Sequence, residues 1–252
     1  WRPSGKHIDP ATADQLSLGY FAEWQLWGDR YDFSVESYYK SMSQIVDYKD
    51  GADLIFNERI ETELLSGKGR AYGLELLLRK NSGKWTGWIS YTLSRTERLV
   101  DGAFKGEQIN QGAWYPANYD KTHDVSLVAT YKISEKWDVG GVWVFQSGRP
   151  VTYPSARAEY ETGIIYPVYN NRNGARTPSY HRLDVSANYV PRPKKQGKWE
   201  SSWAFGIYNV YGRRNPYSVF FRQDEFNPQV TEAIRLSIFG GMIPSVTYNF
   251  KF

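Results

Sequence analysis

The sequence predicts an all-β protein, a transmembrane antiparallel β-barrel, and three observations support this prediction. Polar and apolar residues alternate strictly, as in Ser245–Phe252, and a period of two is typical of a strand with one polar and one apolar face. The same rhythm recurs along the chain, in segments separated alternately by very short turns and by long polar loops. Aromatic residues make up 17% of a chain whose mean hydropathy is −0.59, which favours two aromatic girdles at membrane interfaces.

Composition excludes several other classes of protein. No apolar stretch approaches the roughly 18 to 20 residues that a membrane-spanning helix requires. The net charge of +4 comes from scattered side chains, so no nucleic-acid-binding footprint is indicated. The absence of cysteine excludes disulfides and thiolate metal sites, and three dispersed histidines predict neither a metal site nor another cofactor. The start of the chain lacks an initiator Met and a signal peptide, so we expect an internal or C-terminal piece of a longer protein.

Alternation assigns one face of each predicted strand to lipid and the other to a polar lumen. The predicted lipid-facing residues are Leu16, Leu18, Tyr20, Ala22, Trp24, Leu26, Tyr31, Phe33, Val35, Tyr39, Tyr72, Leu74, Leu76, Leu78, Gly87, Ile89, Tyr91, Leu93, Val125, Leu127, Ala129, Tyr131, Trp137, Val139, Gly141, Trp143, Phe145, Leu183, Val185, Ala187, Tyr189, Trp203, Phe205 and Ile207. The predicted short turns are Gly28-Asp29, Asn81–Gly83, Ser134-Glu135 and Pro191–Lys198.

A single barrel domain over residues 1–252 is expected, with long extracellular loops at about 49–67, 101–117, 151–178 and 222–230. The last rising strand is predicted to continue through Phe221, and the final strand to run from about Thr231 to Phe252. This gives about nine strands, an odd number that predicts the terminal part of a larger barrel. Several segments exceed the roughly 9 to 11 residues that cross a bilayer, so they are expected to project above it.

Four motifs and the last residue carry a resemblance to a known family. They are Ala71–Glu75, Gly148–Thr152, Arg176–Ser186, Tyr208–Ser218 and the terminal Phe252. In this order and with these short turns between them, they resemble the C-terminal barrel of TonB-dependent receptors, most closely of the Bacteroidetes type. The resemblance covers about residues 71–252 well and residues 1–70 only by pattern.

The resemblance implies a 22-stranded barrel in the outer membrane of a Gram-negative bacterium, of which this chain would be about the last nine strands. It further implies an N-terminal plug and energy supplied by the TonB–ExbB–ExbD complex, although nothing in this chain matches a plug or a TonB box. The expected partners are outer-membrane lipid or lipopolysaccharide, the TonB–ExbB–ExbD complex through the plug, and a surface lipoprotein. The implied function is active import of a scarce siderophore, cobalamin, glycan or peptide.

The longest predicted irregular segment carries the candidate ligand contacts. Aromatic rings and guanidinium groups recognise sugars, chelates and peptides alike, and long loops are often functional. The candidates are Arg149, Tyr153, Arg157, Tyr160, Tyr166, Tyr169 and Arg172. The alternative is an ordinary loop whose side chains pack only against one another.

Other functions and one other fold remain as alternatives. A structural or assembly barrel within a secretion or uptake complex is the first. A barrel-borne enzyme would need a pair such as His123-Asp124, but adjacent strand residues point to opposite faces, so no enzyme is expected. Arg182 and Asp184 share a face and are predicted to form an ion pair in the lumen. A soluble β-sandwich would instead bury the predicted lipid-facing aromatic residues in protein.

Overall fold

The computed structural model describes residues 4–5, 8–53, 57–160, 164–191, 200–224 and 230–251. Within these residues no helix is of the length and apolarity that crossing a membrane demands. Short 3-10 turns lie at Ile60–Glu63, Lys105–Glu107 and Asn110–Gly112. The strands are β1 (Thr12–Leu26), β2 (Asp29–Tyr48), β3 (Leu64–Lys80), β4 (Trp85–Leu99), β5 (Tyr115–Pro116), β6 (His123–Lys132), β7 (Trp137–Gln146), β8 (Pro150–Val151), β9 (Ala156–Tyr160), β10 (Ile164–Val168), β11 (Ala175–Arg176), β12 (Tyr180–Tyr189), β13 (Glu200–Tyr208), β14 (Ser218–Gln223), β15 (Thr231–Leu236) and β16 (Ile243–Lys251).

Nine long strands form one antiparallel sheet in the order β1-β2-β3-β4-β6-β7-β12-β13-β16. Each strand is bonded to the next long strand in the chain, so the sheet is a simple meander with β1 and β16 at its edges. The short β5 pairs with the far end of β4. The predictions of an all-β antiparallel architecture and of nine long strands are therefore confirmed for the described residues.

The register places the predicted lipid-facing residues on one continuous face. Leu78 lies opposite Phe33 on one side and Ile89 on the other, and Leu127 lies opposite both Ile89 and Trp143. A one-residue slip in the register of any strand pair would move the apolar residues of that strand to the other face. The observed register therefore checks the predicted facing of each strand separately. Many of these side chains are exposed, for example Leu18 at 76% and Phe205 at 39%, which contradicts the β-sandwich alternative.

Aromatic rings gather at the short-turn end of this face. The close pairs are Trp24–Tyr31, Trp85–Tyr131, Trp137–Tyr189 and Trp203–Tyr248, with ring centroids 6.3, 4.4, 4.7 and 4.7 Å apart. Amphipathic rings at one level around a barrel are typical of a membrane interface. The row therefore has the position that one of the two predicted girdles would take.

Strand lengths differ along the sheet. β2 has 20 residues and β3 has 17, whereas β6, β7 and β12 have 10 each. About 9 to 11 residues suffice to cross a bilayer, so β2 and β3 extend well beyond that need. One bulge interrupts β2, where Gln44 has φ +56° between Ser43 and Ile45. The early strands thus form a wall that rises above the later ones.

The first tight turn lies one residue earlier than predicted. Its central residues are Trp27 and Gly28, with φ +53° and +80°, and Asp29 already pairs with Leu26 in the sheet. Two-residue hairpin turns of this type need positive φ at both central positions. Asp29 is drawn into the strand because its carboxylate accepts hydrogen bonds from Lys80 and from the Ser82 hydroxyl. The turns after β3 and β6 lie where predicted. Residues 192–198 of the fourth predicted turn lie outside the described residues.

The predicted irregular segment at 151–178 is largely a β-hairpin. β8 pairs with β11 at its base, and β9 pairs with β10 farther out, so the β7–β12 connection is a two-tier arm. Similarly, β3 begins at Leu64, inside the predicted loop at 49–67. The sequence does not predict these short strands, because periodicity alone does not distinguish a short hairpin from coil.

The predicted long strand through Phe221 is wrong, and so is the single last strand from Thr231. β13 ends at Tyr208, and Asn209 turns the chain with φ +55° while its amide Nδ2 donates to the carbonyls of Arg213 and Gly241. The chain then forms β14, which pairs with β15 as a second arm. β14 ends at Gln223, inside the predicted loop at 222–230, and residues 225–229 of that loop lie outside the described residues.

A small core lies above the sheet, where the β4–β6 connection packs on the tall strands. Leu65, Val100, Ile109, Tyr115 and Ala117 are all buried there. The backbone pairs β4 with β5 at the same place. The connection is therefore a packed cap on β2–β4.

Candidate ligand-binding face

Arg172 connects the β7–β12 arm to the tops of the tall strands. Its guanidinium donates to Asp47 Oδ1 at 2.9 Å, to the Tyr48 carbonyl at 2.6 Å and to Asp50 Oδ1 at 2.6 Å. It also lies over the Tyr48 ring, 4.4 Å from the centroid. Only 8% of Arg172 is exposed. The charge is therefore fully engaged within the protein.

The same carboxylate joins a third segment to this contact. Asp47 Oδ2 accepts from Arg98 at 3.1 Å and from the Tyr115 hydroxyl at 2.6 Å. Burial and the neighbouring Asp47 raise the pKa of Tyr115, so its hydroxyl stays protonated and donates. Asn110 and the Arg172 backbone exchange two hydrogen bonds, at 3.0 and 2.7 Å. The β2–β3, β4–β6 and β7–β12 connections are thus joined by hydrogen bonds at one buried polar cluster.

A cavity of about 450 Å³ lies at the base of the two arms. Its walls include Arg149, Gln146, Tyr180, Arg182 and Tyr208. On β7, β12 and β13 these strand residues alternate with the predicted lipid-facing set, so the cavity lies on the predicted lumen side. Arg149 is exposed here. The cavity therefore combines cationic donors with aromatic walls on the predicted lumen side of the sheet.

Arg149 spans the bases of both arms. Its backbone N–H donates to the Thr177 hydroxyl at 3.0 Å, and its guanidinium donates to the Tyr217 carbonyl at 3.3 Å. The preceding Gly148 leaves no space for a side chain, because a Cβ there would lie 1.6 Å from the Thr177 carbonyl oxygen. This close approach of the two chains holds Arg149 at the cavity.

The predicted ion pair between Arg182 and Asp184 is present, on the side of the sheet predicted to face the lumen. Arg182 Nη2 lies 2.9 Å from Asp184 Oδ2, and its Nη1 donates to the hydroxyls of Tyr180 and Tyr208 at 2.8 and 2.7 Å. The guanidinium also lies 4.1 Å from the Tyr208 ring centroid. Sequence reasoning did not select the two tyrosines. Tyr180 could have been found by its position two residues before Arg182, but Tyr208 comes from another strand.

The other predicted contacts occupy different places on the β7–β12 arm. Tyr153 packs edge-on against Phe221 of the second arm, with centroids 4.9 Å apart, and burial raises the pKa of Tyr153. Arg157 lines a cavity of about 470 Å³ between the arms, together with Phe221 and Thr231. Tyr166 and Tyr169 are exposed by 46% and 55%. Tyr160 ends β9, and its side chain lies outside what is described.

The structure therefore divides the predicted set. Arg149 lies at the cavity on the predicted lumen side, and Tyr153 and Arg157 lie between the arms. The exposed Tyr166 lies in β10, and the exposed Tyr169 directly follows that strand. Arg172 is brought to a different, buried cluster. The residues share one continuous arm but do not converge on a single point.

Each of the two histidines among the described residues pairs with a tyrosine on the predicted lipid-facing side. His123 Nδ1 lies 2.9 Å from the Tyr91 hydroxyl, and His181 Nδ1 lies 2.8 Å from the Tyr211 hydroxyl. Asp124, by contrast, accepts a hydrogen bond from Gln146 on the opposite face. The sheet thus separates the His and Asp side chains that a hydrolytic pair would have to bring together.

Comparison with known proteins agrees with this architecture. A profile of the family described as TonB dependent receptor-like, beta-barrel, matches residues 2–210. Among curated proteins, no match is found. Similar solved structures include the Ferric-Catecholate import receptor Fiu of E. coli, with 16% identity and a TM-score of 0.57, over 99% of this chain and 30% of that one.

Two further structures have the same fold. The FrpB iron transporter of Neisseria meningitidis has 12% identity and a TM-score of 0.56, over 98% of this chain and 32% of that one. The ferripyoverdine receptor of Pseudomonas aeruginosa has 12% identity and a TM-score of 0.54, over 97% and 27%. The chain thus spans about a third of the length of these structures. With the profile covering most of its residues, the chain belongs to the TonB-dependent receptor-like β-barrel family.

Proposed function

We propose that the whole protein of which this barrel portion is a part imports a scarce ligand across the outer membrane of a Gram-negative bacterium by TonB-dependent active transport. Family membership supports an import function, and the three similar structures are a ferric-catecholate import receptor, a ferripyoverdine receptor and an iron transporter. A ferric siderophore is therefore the first ligand to test, ahead of cobalamin, glycans and peptides. The proposed partners are the membrane lipids, a surface lipoprotein, and the TonB–ExbB–ExbD complex acting through a plug.

The cavity beneath the two arms is the observation that carries this proposal. Its arginines and tyrosines face the predicted lumen, and the β7–β12 arm above it continues with further exposed tyrosines. Guanidinium groups form strong paired hydrogen bonds with anionic oxygens, and rings supply stacking faces. We propose that Arg149, Tyr153, Arg157, Tyr160, Tyr166 and Tyr169 contact ligand in turn, and that Arg172 positions the arm that carries them.

Replacing Arg149 with glutamine is expected to weaken binding of a ferric siderophore by the full receptor about tenfold or more. A charge-assisted hydrogen bond contributes about 1.5–3 kcal/mol, and glutamine keeps the polarity but removes the charge. Binding is measured by tryptophan fluorescence quenching of the purified receptor, followed by uptake of the iron-labelled chelate in cells.

Arg222→Gln is the matched control, because Arg222 is an exposed arginine in β14 that pairs with Glu232. This variant is expected to bind as the wild type does. Equal affinity in the Arg149→Gln variant would contradict the cavity as the ligand site. Absence of energy-dependent uptake of every ligand class by the wild-type receptor would contradict the import function itself.

A further inference from the structure

The predicted lipid-facing side of β3 and β4 changes character along the strands. Starting near the short turn, the cross-strand pairs on this side are Leu78–Ile89, Leu76–Tyr91, Leu74–Leu93, Tyr72–Arg95 and Arg70–Glu97. Three pairs without charge are therefore followed by a tyrosine–arginine pair and then by a charged pair. Uncharged, then aromatic and charged residues are the sequence expected from the hydrocarbon core of a bilayer to its headgroup layer.

The spacing agrees with that order. Trp85 belongs to the aromatic row at the short-turn end, and Arg95 lies ten residues farther along β4. At about 3.4 Å per residue and a tilt of about 40°, ten residues rise roughly 26 Å. The apolar band of such barrels is about 25 Å tall. Arg95 thus lies at the level where the opposite headgroup layer begins.

Two arginines are held side by side at this level. Arg70 donates to Glu97 Oε2 from Nε at 2.7 Å and from Nη2 at 2.6 Å, while Arg95 Nε donates to Oε1 at 2.7 Å. The Arg70 guanidinium also lies 4.2 Å from the centroid of the Trp114 ring. Glu97 is only 5% exposed, whereas the Arg95 side chain is 46% exposed. Two guanidinium groups carry ten N–H donors, more than one carboxylate can accept.

The charge near the pair stays positive. Lys68, which is exposed, lies two residues before Arg70 on the same face of β3. Besides Glu97, the same face carries Asp14, which lies across β2 at the strand edge, opposite Ser41. Asp120 also lies near Arg95, but it is buried and pairs with Arg176. On this face, three cations therefore accompany two carboxylates, one of which is buried.

A groove adjoins the arginines on their short-turn side. It has a volume of about 670 Å³, and its walls include Arg70, Arg95, Tyr39, Tyr72 and Leu74. The rings of Tyr39 and Tyr72 stack, with centroids 6.4 Å apart and planes 19° apart. The lining is mostly apolar, with the charges at one end, which is the shape of an amphiphile's binding site.

We propose that this groove, here called the Arg70–Arg95 groove, binds a phosphate-bearing lipid of the outer leaflet, with its phosphate on the two guanidinium groups and its acyl chains along Leu74 and Leu93. Arginine matches phosphate oxygens in a bidentate manner, and an arginine pair facing lipid is stabilised by such an anion. The proposal rests on the proposed outer-membrane function, because it needs a bilayer around this face.

The test uses the full receptor in nanodiscs of phosphatidylcholine, into which bis-phosphorylated lipid A is titrated, with bound lipid counted by native mass spectrometry. The Arg70→Gln/Arg95→Gln variant is expected to bind lipid A about tenfold or more weakly. Because that variant leaves the buried Glu97 without its partners, a second variant adds Glu97→Gln, and it is expected to lose binding equally. Arg222→Gln/Arg235→Gln in the β14–β15 arm is the matched control and is expected to bind as the wild type does.

Dephosphorylated lipid A is expected to bind the wild type no better than it binds the variants, and inorganic phosphate is expected not to compete. Equal lipid A affinity in the wild type and both groove variants would overturn the proposal, as would equal binding of the dephosphorylated lipid. Competition by inorganic phosphate at the same concentration would assign the site to free phosphate and overturn the lipid. If the wild type imports ligand yet shows no lipid preference, only the groove proposal fails; failure to insert into nanodiscs contradicts the membrane function itself.

Discussion

Gly87→Ala is expected to prevent assembly of the barrel almost completely. A Cβ at position 87 would lie 2.1 Å from the Val128 carbonyl oxygen and 3.0 Å from the Ala129 Cα, and both are backbone atoms of the neighbouring strand. Gly87 also has φ +153°, which residues with side chains seldom adopt. Either β4 and β6 separate or both backbones shift. The measurement is the fraction of receptor that is folded in outer membranes, read by its heat-modifiable mobility on gels.

Gly141→Ala is the matched control, because Gly141 lies in the same cross-strand row and pairs with Ala129 from the other side. A Cβ at position 141 meets only the Asp184 carbonyl oxygen at 3.7 Å, an ordinary contact. This variant is expected to assemble as the wild type does. Normal assembly of Gly87→Ala would show that the β4–β6 backbones separate at little cost.

Arg172→Ala is expected to release the β7–β12 arm from the tall strands. The change removes a buried ion pair with Asp47, and breaking such pairs costs about 3–5 kcal/mol. Asp47 keeps Arg98 and Tyr115, so the lower end of that range applies. About 3 kcal/mol corresponds to roughly a hundredfold increase in local opening. The measurement is amide hydrogen exchange of residues 100–122 and 147–179 in the full receptor.

Arg222→Ala serves as the comparison, because its pair with Glu232 is exposed by 57% and 42%. Exposed pairs contribute about 0–1 kcal/mol, so exchange in the β14–β15 arm should change little. If exchange in the two segments around Arg172 also stayed at the wild-type rate, the buried cluster would not hold the arm. In that case the proposed positioning role of Arg172 for the ligand contacts would be wrong.

The two faces of the sheet were predictable because alternation is a local property. A side chain at position i and another at i+2 share a face whatever the rest of the chain does. The pairs Leu78–Ile89 and Leu127–Trp143 show that this reasoning holds across neighbouring strands as well. Turn chemistry was predictable to within a residue, as Trp27-Gly28 shows, because cross-strand partners such as Lys80 decide where a strand resumes.

The candidate site was predictable only in composition. Arg149 and Arg172 look alike in the sequence, since both are arginines near tyrosines in a long polar segment. The structure exposes one at a cavity and buries the other against Asp47. Asp47 lies 125 residues away, and no local pattern signals such a pair. The arginine pair at Glu97 was likewise missed, because Trp114 and the register of β3 with β4 assemble it.

By itself, the sequence determined that this protein is a meander of antiparallel strands with one apolar and one polar face, and its motifs indicated the family. Side-chain alternation and turn residues act over a few positions, so these properties need no distant contact. Only the tertiary structure decided which polar side chains are accessible to a ligand and which are buried in hydrogen bonds and ion pairs within the protein. That choice depends on burial and on partners brought together from remote segments, because a charge removed from water must find its counter-ion wherever the fold places one.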